Sequence, residues 1–357
     1  MPDEELFNYK TFKEINEIPE SIREVIGNIR RIREIVNELN NKGVNELYYI
    51  GCGSSHYVAM GSALPLLIHS TVKTIVAPAS EFIFYHLNNR YKSRRAVIAF
   101  SRSGSTAEIL SAMRQAKEKG YITIGITCTR DSPILKLTDY SILAEKCYEE
   151  SYVMTKSFVT MQLAGLLLSL YKISDYHERV EDIVEESTKL PVAVEEILNN
   201  KQQYYKLAKE TLEKNAFIFL GTSITMPAAF EASLKFKEMT HSFTEALHAL
   251  EFRHGPVALA SKSKEAALFI LTPSDKSADK VIKLYNELIN KGFNVKLVTN
   301  IENYKNKNQL YINWSGHVYY SSLLFIIPLY LVAFYRTILK GHNPDKPKGL
   351  VKIVKAF

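Results

Sequence analysis

Ala96-Val-Ile-Ala-Phe-Ser101-Arg-Ser-Gly104-Ser-Thr106-Ala-Glu-Ile-Leu110 is the stretch whose reading decides the fold. An unbroken apolar run, Ala96 to Phe100, has the character of a strand buried on both faces. It enters a hydroxyl-rich turn, Ser101 to Thr106, and the residues after Thr106 open a helix. The first turn of a helix carries N–H groups without intrahelical partners and the positive end of the helix dipole, so backbone and hydroxyls together can hold a phosphate there. Gly104 lets the backbone come close. On this stretch alone, a Ser/Thr cap with nothing bound explains the pattern equally well.

Outward from this turn, the chain reads as two copies of one scheme offset by about 170 positions. Leu47-Tyr-Tyr-Ile-Gly51-Cys-Gly53-Ser54-Ser55 has its counterpart in Ala216-Phe-Ile-Phe-Leu-Gly221-Thr222-Ser223, and Ala96 to Ser101 has its counterpart in Ala267 to Thr272. Further apolar runs follow in each copy: Ile122 to Cys128 and Tyr140 to Ala144 in the first, Val295 to Thr299 and Leu310 to Trp314 in the second. Strands alternating with amphipathic helices predict an α/β fold: two doubly wound parallel-sheet domains, three-layer α/β/α, related by internal repeat. In such sheets ligands sit at the carboxyl ends of strands near the switch point. The expected organisation is an N-terminal helical extension (1–40), a first domain (41–174), a charged helical linker (175–212), a second domain (213–340) and a C-terminal tail (341–357) that completes the active site.

Composition bounds the function. The 357 residues carry a net charge of +7, but basic residues are scattered among 38 acidic ones, which predicts an anionic small molecule rather than nucleic acid. Cys52, Cys128 and Cys147 lack metal-ligand spacing and are too few for a secreted disulfide framework; with the polar, acidic start MPDEELFNYK this predicts a cytoplasmic protein. The apolar run Val318 to Phe334 contains Pro328, serines and tyrosines, and is expected to be a buried helix rather than a membrane span. No cofactor is expected: Gly51-Cys-Gly53 lacks the third glycine and downstream acid of a dinucleotide turn. No metal is expected either, because His248, Glu251 and His254 at i, i+3, i+6 do not converge.

Eight motifs then make the reading specific: Lys13-Glu-Ile-Asn-Glu-Ile-Pro19, Gly51-Cys-Gly-Ser-Ser55, Ala79-Ser-Glu-Phe82, Ser101-Arg-Ser-Gly-Ser-Thr106, Thr155-Lys-Ser-Phe158, Phe230-Glu-Ala-Ser-Leu-Lys-Phe-Lys-Glu238, Glu251-Phe-Arg-His-Gly-Pro256 and Asp345-Lys-Pro-Lys-Gly-Leu-Val-Lys352. In this order the chain resembles the sugar isomerase (SIS) family of phosphosugar-binding proteins, and within it the isomerase halves of glucosamine-6-phosphate synthases and the stand-alone deaminases. The resemblance implies that Ser101, Ser103 and Thr106 hold the phosphate, that Ser54 and Ser55 line the sugar, and that Val153 and Glu231 contribute to the substrate site. Two positions depart from the synthase pattern. Arg102 replaces a glutamine in the cup, where it can add a phosphate contact or point to solvent, and Met154 replaces a hydroxyl residue near the sugar.

The remaining candidates concern the chemistry. Glu231, Lys235 and Glu238 fall at i, i+4 and i+7 on one helical face. Taken alone this is an ordinary surface salt-bridge stripe. With the resemblance it becomes a catalytic set, in which Glu238 moves a proton between C1 and C2, Lys235 is its electrostatic partner and Glu231 its support. The resemblance further implies that His254 opens the sugar ring, acting in the partner subunit of a homodimer, and that Lys352 contacts the open-chain sugar. The expected activity is isomerisation of glucosamine-6-phosphate and release of ammonia. Without a cysteine before Cys52, glutamine-dependent synthesis by this chain alone is not expected. The alternatives are an isomerase or deglycase for another sugar phosphate, and a non-catalytic sugar-phosphate sensor.

Overall fold

In the computed structural model, residues 3–88, 94–173, 178–260, 266–305 and 309–357 are described. They fold around two five-stranded sheets, each in its own compact unit. The first sheet consists of β1 (Glu46–Gly51), β2 (Lys73–Pro78), β3 (Arg95–Phe100), β4 (Ile122–Thr127) and β5 (Tyr140–Leu143), ordered β2-β1-β3-β4-β5. The second consists of β6 (Ala216–Gly221), β7 (Phe243–His248), β8 (Ala266–Thr272), β9 (Val295–Thr299) and β10 (Leu310–Tyr311), ordered β10-β9-β8-β6-β7. Every pairing is parallel. Read from the β7 edge, the second order is the first again, so the repeat seen in the sequence is a repeat of topology.

The central strands are buried along their length because both faces are covered. In the first sheet Tyr48, Ile50, Val97 and Ala99 pack with Ile109, Ala112, Met113 and Ala116 of the helix Ala107–Glu118. On the other face the Tyr49 and Phe100 rings stack at 6.2 Å, and the Tyr49 hydroxyl meets Ser169 Oγ at 2.7 Å, on the fully buried helix Lys156–Lys172. In the second sheet Phe217, Phe219 and Phe269 pack against Phe236 of the helix Met226–Thr240. Each such apolar side chain contributes about 2 kcal/mol when taken from water.

Eight strands fall where continuous apolar runs placed them, although β10 is only two residues long. Of the four edge strands, β5 and β10 are among these eight, whereas β2 and β7 do not announce themselves in that way. Phe243 and Glu245 on β7 and Lys73 on β2 are exposed or half-exposed, so these strands alternate with polar residues. A search for doubly buried runs passes over them.

The units also cut the chain differently from the expected domains. The first unit holds residues 17–149, 154–191 and 351–357; the second holds 1–16, 150–153 and 192–350. The expected extension, linker and tail are thus each divided. Phe12 belongs to the second unit, where its ring lies 5.1 Å from that of Phe334. The helix Lys201–Glu210 and the residues after it are fixed there by Arg336, which donates to the carbonyls of Thr211 and Lys214 and lies 4.5 Å over the Phe217 ring. Burial pulls this guanidinium down to about 10. The segment 318–339 is long and apolar enough to cross a membrane, with mean hydropathy 1.9, but 89% of that window is buried.

The cysteines require a correction. Cys128 and Cys147, both buried, are joined by a disulfide that ties the end of β4 to the turn after β5. The count of three cysteines therefore gives no support to a reducing compartment. Cys52 is a free thiol, pushed up to about 11 chiefly by burial and also by the Glu108 carboxylate. Thiol titration of the unfolded chain without reductant should find one reactive group, and with reductant three. The bridge, with a sequence separation of 19, should contribute about 3 kcal/mol by restricting the unfolded chain. Three thiols without reductant would remove the disulfide from the account.

Candidate active site

The first unit presents its hydroxyl groups at the carboxyl ends of β1 and β3, which flank the switch point of the sheet. After β1 the chain turns through Gly53 at φ +56° into the helix Ser54–Ser62, so Ser54 and Ser55 start a helix and are buried. Gly51 is needed for this return, since an added Cβ would lie 2.2 Å from the Ser55 carbonyl oxygen. Ser55 Oγ lies 3.9 Å from the Met154 sulfur, so the departure at Met154 sits directly on the serine predicted to line the sugar. His56 follows, and burial holds its imidazole below the ordinary value.

After β3 the turn 101–106 forms as expected. Gly104 has φ +61°, its N–H donates to the Ser101 carbonyl at 3.1 Å, and its carbonyl accepts from Ile134 N at 3.0 Å. Ser101 is buried, and its Oγ faces Thr106 Oγ1 at 3.3 Å. Ser103 Oγ accepts from Ser105 N at 3.2 Å and from Ser105 Oγ at 3.1 Å. Thr106 is the N-cap of Ala107–Glu118 but makes no side-chain cap bond. Its hydroxyl is therefore not consumed by the helix, and the reading as a simple cap loses its basis.

The second copy of this turn behaves differently. In the segment after β8, Asp275 Oδ1 accepts from Ser277 N at 2.8 Å and from Ser277 Oγ at 2.6 Å, just ahead of the helix Ala278–Asn290. A carboxylate thus lies within this turn, beside the positive end of the helix, where it disfavours an anion.

Arg102 does not point to solvent. Its side chain is 8% exposed, with Nη1 3.5 Å from Oε2 of fully buried Glu149 and Nη2 donating to the Lys352 carbonyl at 3.3 Å. Glu149 is a site residue that sequence reasoning missed. Its carboxylate accepts from Thr155 N at 2.6 Å, Thr155 Oγ1 at 2.9 Å, Ser157 N at 3.3 Å and Ser157 Oγ, and so caps the helix Lys156–Lys172. An acidic residue six positions before a Thr-Lys-Ser helix start is the only signal the sequence offers. Lys352 is also in this unit: its Nζ donates to the Glu149 carbonyl at 2.9 Å and lies 5.6 Å over the Tyr148 ring.

The second unit carries the other constellation. On the helix Met226–Thr240, Glu231 and Lys235 are buried and Glu238 is 15% exposed at its side chain. Lys235 Nζ binds Glu238 Oε2 and lies 3.4 Å from Glu231 Oε1, which also accepts from the Tyr330 hydroxyl at 3.4 Å. A surface stripe is thereby excluded, since Lys235 and Glu231 are held together away from water with Glu238 at their edge. Glu238 is the member open to solvent. Val153 is buried in the segment 150–153 of this unit. His254 follows the short turn Glu251–Arg253 and is exposed, with no side-chain partner among the described residues. Among the described residues no group of three His, Cys, Asp or Glu side chains converges as a metal site would require.

Residues 42–171 match the family described as SIS domain. The chain is 33% identical over 366 residues to the glutamine–fructose-6-phosphate aminotransferase (isomerizing) of Buchnera aphidicola, covering 98% of this chain and 59% of that protein. With its Thermococcus kodakarensis namesake it shares 29% identity over 96% of this chain and 57% of that protein. The chain thus spans little more than half the length of these relatives. Among solved structures, a glucosamine-6-phosphate deaminase from Thermotoga maritima aligns with TM-score 0.75 and 28% identity over 97% of this chain and 99% of that one. The C-terminal domain of the Francisella tularensis glucosamine-fructose-6-phosphate aminotransferase has the same fold, with TM-score 0.84, 24% identity, and 95% and 98% coverage.

The geometry of the turn makes a direct prediction. In Gly104→Ala the new methyl would lie 2.3 Å from Ser132 Oγ at a backbone angle that alanine resists. Stability should fall by about 2 kcal/mol, and calorimetric titration with inorganic phosphate should show affinity at least about tenfold weaker. Unchanged phosphate binding would mean that the turn is not the anion site.

Proposed function

The chain is a SIS-domain protein, and from that premise we propose that it is an enzyme converting glucosamine-6-phosphate to fructose-6-phosphate and ammonia. The phosphate is held by Ser101, Ser103 and Thr106 at the helix start, with Ser54 and Ser55 along the sugar. In the open-chain aldehyde, Glu238 moves the C2 proton to C1 while a proton passes from the 2-amine to O1, giving the 2-imine of fructose-6-phosphate with a hydroxyl at C1. Water then adds to the imine carbon and ammonia leaves. Lys235 pairs with Glu238 and orients it, Glu231 supports Lys235, and Lys352 contacts the open chain. His254, exposed on its turn, opens the ring in a partner subunit, so the working unit is a homodimer.

One observation carries this reading against a sensor: the buried Glu231–Lys235–Glu238 set. Recognition of a sugar phosphate needs the hydroxyl cup alone, whereas burying an ammonium between two carboxylates is costly and gives a binding protein nothing. A carboxylate held by an ammonium at the solvent edge of that set has the form a proton-transfer base requires. The similarity to the Thermotoga maritima deaminase over almost the whole of both chains supports ammonia release over simple aldose-ketose exchange.

Incubation with glucosamine-6-phosphate should yield ammonia and fructose-6-phosphate in equal amounts. In Glu238→Gln, kcat should fall about a thousandfold while inorganic phosphate still binds. Ketose formed from glucose-6-phosphate, with no ammonia from the amino sugar, would replace the deaminase by a plain isomerase. Phosphosugar binding without turnover would make the chain a sensor.

A further inference from the structure

We propose that Arg102 is a positioning residue: paired with buried Glu149, it clamps the C-terminal segment 351–357 against the cup turn and thereby fixes Lys352. The proposal rests on the reading of Lys352 as the lysine that meets the sugar. All its groups lie in the first unit.

Hydrogen bonds from the cup side and to Glu149 hold the segment, beside a ring stack of Phe357 on Phe84. Arg102 Nη2 donates to the Lys352 carbonyl at 3.3 Å, Lys352 Nζ donates to the Glu149 carbonyl at 2.9 Å, and the N–H of Ala107, first residue of the helix after the cup, donates to the Val354 carbonyl at 3.2 Å. Lys352 is thus gripped at both its backbone and its ammonium by one buried pair, Arg102 and Glu149. A guanidinium suits this task because its planar fork can give one nitrogen to a carboxylate and another to a carbonyl. The glutamine of the synthase pattern has no charge for Glu149. A phosphate arriving in the cup could recruit Arg102 only by pulling it from a carboxylate with no access to water, which buried charge pairs strongly resist. Phosphate binding therefore falls to the hydroxyls and to N–H groups of the turn and helix start other than that of Ala107.

Trypsin provides a readout that needs no activity, because Lys352 is fixed in the clamp while Lys355, three residues on, is exposed and serves as reference. In Arg102→Gln, cleavage after Lys352 relative to Lys355 should quicken at least about tenfold. The affinity for inorganic phosphate should stay within about twofold, and kcat should fall about tenfold with KM little changed. Arg102→Lys, which keeps the charge for Glu149 but not the fork, should lie between the parent and Arg102→Gln. If Arg102→Gln does not fold because Glu149 is left as a bare buried charge, Arg102→Gln/Glu149→Gln removes both charges and should show the same cleavage. Phosphate affinity about tenfold weaker with cleavage unchanged would overturn the proposal and make Arg102 a phosphate ligand. A parent protein that releases no ammonia would overturn the deaminase reading, while the cleavage ratio would still decide the role of Arg102.

Discussion

The first unit depends on how one buried carboxylate is satisfied. Glu149 is excluded from water, and a charge in that position is tolerated only when paired and fully hydrogen-bonded. Its partners are the start of the helix Lys156–Lys172, through Thr155 and Ser157, and the guanidinium of Arg102. Meeting this one requirement joins the cup turn, a core helix that covers the sheet, and the C-terminal segment. Removing a single partner should cost about 3–5 kcal/mol, because the remaining charge would be stranded.

The disulfide lies along the same seam. Cys128 N donates to the Arg102 carbonyl at 3.3 Å, and Thr127 and Thr129 hydroxyls reach the same oxygen at 3.2 and 3.0 Å. Cys147 stands two residues before Glu149. The bridge therefore ties the shelf under Arg102 to the segment carrying its carboxylate, at the carboxyl edge of the sheet where the cup opens.

Much of this was legible in the sequence, and the reason is physical. Doubly buried parallel strands must be continuously apolar, so β1, β3, β4, β6, β8 and β9 stand out, and a helix start with unspent hydroxyls shows as Ser101-Arg-Ser-Gly-Ser-Thr106. The spacing of Glu231, Lys235 and Glu238 gave their common face but not their burial, which depends on packing by the helix Ser321–Leu339, nearly a hundred residues away. The edge strands β2 and β7, the Cys128–Cys147 pairing and the role of Glu149 were not legible. Each depends on contacts distant in sequence, and nothing in local pattern distinguishes Glu149 from Glu150 beside it.

The two copies of the fold differ at the corresponding turn: the first carries the hydroxyls of Ser101, Ser103 and Thr106, proposed to hold the phosphate, and the second carries Asp275, whose carboxylate accepts from Ser277. Calorimetric titration with fructose-6-phosphate tests this asymmetry most directly. One molecule should bind per chain, and binding should be lost in Ser101→Ala/Thr106→Val. Two molecules per chain, or binding undiminished in that variant, would contradict a single phosphate cup at residues 101–106.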